Sequence, residues 1–301
     1  MRQLVFVHGR AQEHKDAVAL KGEWLEALGE GLAKNGLALP IAEAEVRFPF
    51  YGTTLYDLTK GRSAAEAAEI VVRGTETDAD EARFLRAVVE EVRQRAGITE
   101  AQIAEVAGQD VVERGPGQWE WVQAILRAVD RHVPHGSGGG IALATRDVYQ
   151  YLKNAAIRQH IDDGVSQALA SGRETVVVAH SLGTVVAYNM LTQLGTARGW
   201  NVPLFITLGS PLAVSEIRKT MRGLGGPLRC PPCAGAWFNA MDERDIVALY
   251  PLTPGHFPID PAMPAIENKT DVRNRTENRH GIAGYLDDAE VARRIHDALV
   301  A

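Results

Sequence analysis

The sequence predicts an α/β fold with a mostly parallel central sheet flanked by helices, and three observations carry that expectation. Short apolar runs at 3–7, 176–178 and 203–208 have the unbroken hydrophobicity of strands buried on both faces. Segments of helical periodicity at 17–34 and 184–191 lie between them, so strands and helices alternate along the chain. Third, the run at 174–178 breaks into Ala179-His180-Ser181-Leu182-Gly183, where a strand turns directly into a helix through small residues.

Taken in order, the first strand ends at His8-Gly9-Arg10. A backbone N–H just beyond such a strand can point at charge developing at the neighbouring strand end, and glycine lets the backbone come close. The N–H of Arg10 is therefore a candidate anion donor, and His8 beside it a candidate substrate contact. Residues 42–50 alternate polar and apolar up to Pro49 and predict a second strand ending near Phe48.

Roughly 120 residues then separate Tyr51 from Glu174, far more than a plain crossover between parallel strands needs. Helical patterns at 64–72, 81–96 and 99–107 precede a break at Gly115-Pro116-Gly117. Trp119, Val122, Ile125, Leu126, Val129 and Val133 then recur at helical spacing. That stripe has two readings: it packs on the core, as such stripes usually do, or it lines a pocket for a lipid-like group, with Trp119 and Ile125 as contacts. Residues 136–140 (Gly-Ser-Gly-Gly-Gly) read as a flexible connector, and no Gly-Lys-Ser/Thr ending makes them a phosphate loop. Helices at 147–152 and 157–171 lead back to the sheet. The expected organisation is a core of residues 1–51 and 146–301 carrying a helical cap at 52–145, both ends of which leave the sheet near its carboxyl edge.

Beyond the turn at Ser181, residues 203–208 form the next strand, ending at Gly209-Ser210-Pro211, where Ser210 is a turn residue. Strands at 236–241 and 266–272 and a closing helix at 288–300 complete about six largely parallel strands.

Composition narrows the function. A hydrophobic content of 46% over 301 residues suits a well-buried core, and the net charge of −6, with lysine and arginine scattered, leaves no nucleic-acid footprint. No apolar run approaches the ~20 residues that cross a bilayer and no leader pattern precedes the first strand, so the expected location is cytoplasmic. Sequons at Asn268 and Asn274 then carry no glycosylation meaning. Cys230 and Cys233 lie in a proline-rich loop without further ligands for zinc, which leaves two plain thiols or a local disulfide.

Ala179-His180-Ser181-Leu182-Gly183 has the form G-x-S-x-G of a nucleophile elbow, with alanine for the first glycine. A serine there needs a base and an orienting carboxylate, following it in the order acid, then histidine. Of nine histidines, His280 is best placed, after the last strand and before the last helix. Asp242, Glu243 and Asp245 leave the strand ending at Met241. Asp245 is favoured because Ile246 and Val247 can anchor its loop and so aim the carboxylate; Asp242 is the fallback.

The chain resembles the serine esterase and lipase type of α/β-hydrolase, in residues 5–9 (Val-Phe-Val-His-Gly), the elbow, Gly209-Ser210-Pro211-Leu212, Asp245-Ile246-Val247 and His280. The elbow and residues 209–212 also resemble the lipase-like branch of that family. The resemblance implies attack by Ser181 on a small-molecule or lipid-like acyl ester, with His280 moving the proton, Asp245 orienting the imidazole, and the N–H groups of Leu182 and Arg10 holding the oxyanion. It implies no metal and no organic cofactor. Thioesterase, amidase or acyltransferase chemistry on the same site, or a catalytically silent binding protein, are the competing expectations.

Overall fold

A computed structural model describes residues 2–9, 16–51, 79–170 and 172–301. The candidate donor Arg10 and the helix expected at 64–72 lie outside the described residues.

Six parallel strands form one sheet in the order β2-β1-β3-β4-β5-β6: β1 (Gln3–Val7), β2 (Val46–Arg47), β3 (Thr175–His180), β4 (Val202–Leu208), β5 (Ala234–Ala240) and β6 (Glu267–Lys269). Eleven helices among the described residues cover its two faces. Successive side chains of a strand point to opposite faces, so each central strand serves both. Leu4 and Phe6 of β1, with Val176 and Val178 of β3, face α1 (Ala17–Ala33) and, near the C-terminus, α10 (Ala283–Leu286) and α11 (Ala289–Val300). Val5, Val7, Val177 and Ala179 point the other way, into a larger cluster shared with α8 (Leu182–Gln193), α9 (Ser215–Gly225) and the helices of the long interval.

Those helices are α2 (Ala79–Arg95), α3 (Glu100–Ala107), α4 (Gln109–Arg114), α5 (Trp119–His132), α6 (Gly138–Lys153) and α7 (Ala155–Ser166). Local chemistry sets their ends. Thr99 and Gln102 form a reciprocal capping box at the start of α3, and Asn154 caps α7 by accepting from the N–H groups of Ala156 and Ile157. The stripe of α5 is core: Val122, Ile125 and Val129 have no exposed surface, and Trp121 is buried beside them. Trp119 packs against the same cluster from its edge.

Three expectations need correction. The second strand is only two residues long, because residues 43–45 form a 3-10 turn in place of its first half, and the last strand shortens to three residues. The glycine run is no flexible connector: Ser137 caps α6 by accepting from the Gly140 N–H, and the helix begins at Gly138. A Cβ on Gly138 would stand 2.3 Å from the Leu126 carbonyl oxygen, so the absent side chain is what lets α6 lie against α5. The same helix, α6, runs unbroken across position 145.

The strand order places the site. From β1 the chain moves through α1 on one face to β2, whereas from β3 it moves through α8 on the other face to β4. The carboxyl ends of β1 and β3 therefore open a crevice where the winding reverses, the usual ligand position in open α/β sheets.

A stability comparison tests the helix contact. Gly138→Ala should lower stability by about 1–3 kcal/mol through overpacking. Gly164→Ala in α7, where a new Cβ meets nothing within 4 Å, should be neutral or stabilising by up to ~1 kcal/mol. Urea midpoints of the two variants decide it; equal midpoints would remove the close-packing role of Gly138.

Candidate active site

Ser181 ends β3 and precedes the first residue of α8, with φ 54° and ψ −128°. A non-glycine residue held there carries strain of about 1–3 kcal/mol, which its surroundings must overcome. Several contacts do so. The Ser181 N–H donates to Leu208 O at 3.1 Å, extending the sheet ladder to β4. Its carbonyl accepts the Thr184 hydroxyl at 2.7 Å and the Thr184 N–H at 2.9 Å. Because the Thr184 proton is used there, the 2.8 Å contact between Thr184 and Ser210 has Ser210 as donor, while Ser210 Oγ accepts from the Leu212 N–H. Ser210, read as a plain turn residue, is thus a buried brace for the elbow.

Glycine is required on both sides of the crevice. A Cβ on Gly183 would lie 2.2 Å from Val7 O, and one on Gly9 would lie 2.8 Å from Ser181 Cβ. Bare backbone at these two positions lets α8 start directly against the end of β1. The N–H of Leu182, first in its helix, has no intrahelical acceptor and opens beside Ser181, at the positive end of the helix dipole.

A single line of hydrogen bonds joins three side chains from three loops. Ser181 Oγ lies 2.8 Å from His280 Nε2, and His280 Nδ1 lies 2.7 Å from Asp245 Oδ2. Asp245 is fully buried, and every contact on it is a donor. Its Oδ1 accepts from the N–H groups of Val247 at 2.8 Å and Ala248 at 3.2 Å; its Oδ2 also accepts the Tyr285 hydroxyl at 2.6 Å. Burial alone would raise the carboxyl pKa, but the His280 charge and these donors outweigh it and hold the pKa below the usual value. An ionised Asp245 fixes the His280 proton on Nδ1 and leaves Nε2 to accept from Ser181.

Asp242, the alternative acid, has other partners. It pairs with Arg244 and accepts the Asn274 N–H at 2.8 Å, tying the acid loop to the loop that carries His280. Asn274 organises that second loop: its Nδ2 donates to Gly281 O at 2.8 Å, and its Oδ1 accepts from the Thr276 N–H and hydroxyl. With no exposed surface, it is a buried joint and not a glycan site.

Four contributors were missed by sequence reasoning: Tyr285, Thr184, Asn274 and His180. His180, adjacent to the serine, donates from Nε2 to His280 O at 2.8 Å, and the two rings lie 4.8 Å apart. Burial and the neighbouring His280 push its pKa down to about 3, so it serves as a neutral strut. His8 is likewise buried, stacked on Tyr51 with centroids 4.0 Å apart, and it is not among the described residues that line the two cavities at Ser181. Its Nδ1–H donates to Gly9 O at 2.6 Å and its Nε2 accepts the Tyr51 N–H, while burial lowers its pKa to about 4. His8 holds the strand end.

Trp119 and Ile125 do not reach Ser181 either; the two cavities at the serine are walled by other residues. Cys230 and Cys233 are free thiols whose pKa burial raises to about 11, which suppresses thiolate reactivity. Among the described residues, no cluster of three or more His, Cys, Asp or Glu side chains is placed to hold a metal, and no helix is long and apolar enough to cross a membrane. No family model, no curated protein and no solved structure matches this chain.

The buried histidines set a pH dependence. Unfolded histidine protonates near pH 6.5, whereas folded His8 and His180 stay neutral to about 4 and about 3, so the unfolded chain binds more protons and stability falls as pH drops. Asp162 acts oppositely: burial first, against the Tyr151 hydrogen bond and Arg158, raises its folded pKa to about 6, so below that value the folded state gains a proton that the unfolded state takes only near pH 4. Between about pH 6 and pH 5 these three groups leave an excess of one unfolded-state proton, about 1.4 kcal/mol of stability lost per pH unit. Urea titrations of wild type, His180→Asn and Asp162→Asn check this: the first substitution should flatten the slope and the second should steepen it.

Proposed function

We propose that this chain is a serine-dependent carboxylic ester hydrolase of α/β-hydrolase type. The observation that carries the reading is the uninterrupted line from Ser181 Oγ through His280 to buried Asp245, set beside the open N–H of Leu182. In this reading Ser181 Oγ forms a bond to the acyl carbon and gives its proton to His280 Nε2. The carbonyl oxygen, now negative, is held by the Leu182 N–H; one such donor is worth about 3–4 kcal/mol in barrier height. His280 then passes the proton to the alcohol oxygen as the C–O bond breaks. Water repeats the sequence on the acyl-serine, losing its proton to His280, and Ser181 leaves with that proton restored.

Asp245 takes no proton. It orients the imidazole and stabilises the imidazolium, and Tyr285 positions Asp245 through the second lone pair of Oδ2. Residues of α2 and α6 line the cavities at Ser181, as a cap over the serine would. The substrate is a small-molecule or lipid-like acyl ester.

Labelling with a fluorophosphonate and hydrolysis of p-nitrophenyl esters test the reading. Ser181→Ala should abolish both with the melting temperature unchanged; residual turnover near wild type would refute it. Asp245→Asn should lower kcat by about 10⁴-fold through the wrong imidazole tautomer. Asp242→Asn should act mainly on stability, since its partners are Arg244 and Asn274, and Tyr285→Phe should lower kcat modestly while leaving the label intact. Matched ester, thioester and amide donors rank the leaving groups.

A further inference from the structure

Ser181 lines two cavities of very different size. One also touches Leu182 and is walled by apolar side chains, Val88 and Val92 from α2, Val148 from α6, Val214 and Ile217 at α9. It is a slot of about 20 Å³, room for little more than one water-sized sphere. The other touches His280 and His180 and holds about 380 Å³, within the range of pockets that enclose whole small ligands. Its wall mixes apolar Leu20 and Leu143 with Ser137, Thr276 and Asn278.

The chemistry says which half of a substrate enters each. The carbonyl oxygen must face the Leu182 N–H, and the leaving oxygen must face His280 Nε2, which supplies its proton. The slot meets Leu182 and not His280; the wide cavity meets His280 and not Leu182. The alcohol therefore takes the wide cavity, and the acyl chain, the remaining and apolar substituent of the carbonyl carbon, takes the apolar slot away from His280.

We infer that the substrate is an ester of a short acyl group, of about acetyl to propionyl size, with a bulky alcohol that carries polar groups. This rests on the serine-hydrolase reading and adds the substrate class to it. The slot walls are buried and close-packed: Val148, Val214 and Ile217 are each only 2% exposed, so a longer chain has to displace them. Size discrimination by such a wall is worth about 10–200-fold per methylene.

The test uses the full chain with p-nitrophenyl acetate, butyrate and octanoate, in parallel with fluorophosphonate labelling. The kcat/KM for acetate should exceed that for octanoate by at least about tenfold. Val148→Ala and Ile217→Ala should each move the acetate-to-octanoate ratio toward the longer chain. A ratio is independent of the fraction of enzyme folded, so loss of stability in these variants does not obscure it. Leu143→Ala, on the wide cavity only, should leave the ratio alone and change the discrimination between 2-phenylethyl acetate and ethyl acetate, whose alcohols differ in bulk more than in acidity.

Wild type should favour the 2-phenylethyl ester. A labelled enzyme that prefers octanoate, or whose ratio is unmoved in both wall variants, would overturn the acyl-size inference and leave the hydrolase reading standing. Preference for ethyl acetate would overturn the assignment of the wide cavity to the alcohol. A protein that takes no label and cleaves none of the esters would overturn both.

Discussion

The contact between the start of α8 and the end of β1 is the constraint on which the site depends. Gly183 brings the helix backbone to within a missing Cβ of Val7 O, and Gly9 does the same for Ser181 from the opposite side. Neither approach survives a side chain, and with either one blocked the helix start moves away from the crevice. Ser181 sits in its strained conformation because sheet, helix and brace all act on the same few atoms: Leu208 O takes its N–H, and Thr184, fixed by Ser210, takes its carbonyl. The strain is local and the restraint is distributed, which is how a single residue is held off its preferred backbone basin.

Around that point the molecule uses burial to decide protonation. Asp245 remains charged without exposure because four donors replace its water. His8 and His180 remain neutral because burial offers no comparable acceptor for a second proton: each has one ring nitrogen donating to a carbonyl. Of the three rings gathered at the crevice, only His280 has both a carboxylate on one nitrogen and a hydroxyl on the other. Only that imidazole links a hydroxyl to a carboxylate.

The elements with strong local signals were legible in the sequence. Unbroken β-branched runs marked β1, β3 and β4, and α1, α2, α3 and α5 followed from apolar period and turn residues, within a residue or two at their ends. Ser181, Asp245 and His280 were named from the small-residue turn and from the order of residues at successive strand ends, and the structure brings these three together. What was illegible depended on partners remote in sequence. Tyr285 is 40 residues from Asp245, and His180 is 100 from His280; nothing local distinguishes either from an ordinary core aromatic or turn histidine. The glycines at 136–140 misled because composition reports freedom in the unfolded chain, whereas at Gly138 the missing side chain is used for contact with Leu126. The brief second strand misled because a polar-apolar alternation cannot tell three residues of extended chain from a 3-10 turn.

The continuity of α6 has a consequence for modularity. This helix begins against α5, supplies Ile141, Ala144 and Val148 to the space beside Ser181, and ends at Asn154, which caps the helix leading back to β3. It packs on α5 and on α7. A recombination joint at position 145 would sever a helix and a pocket wall together. A substitution along that face of α6 therefore meets the cavities at Ser181 and the hydrophobic cluster that holds the sheet at the same time.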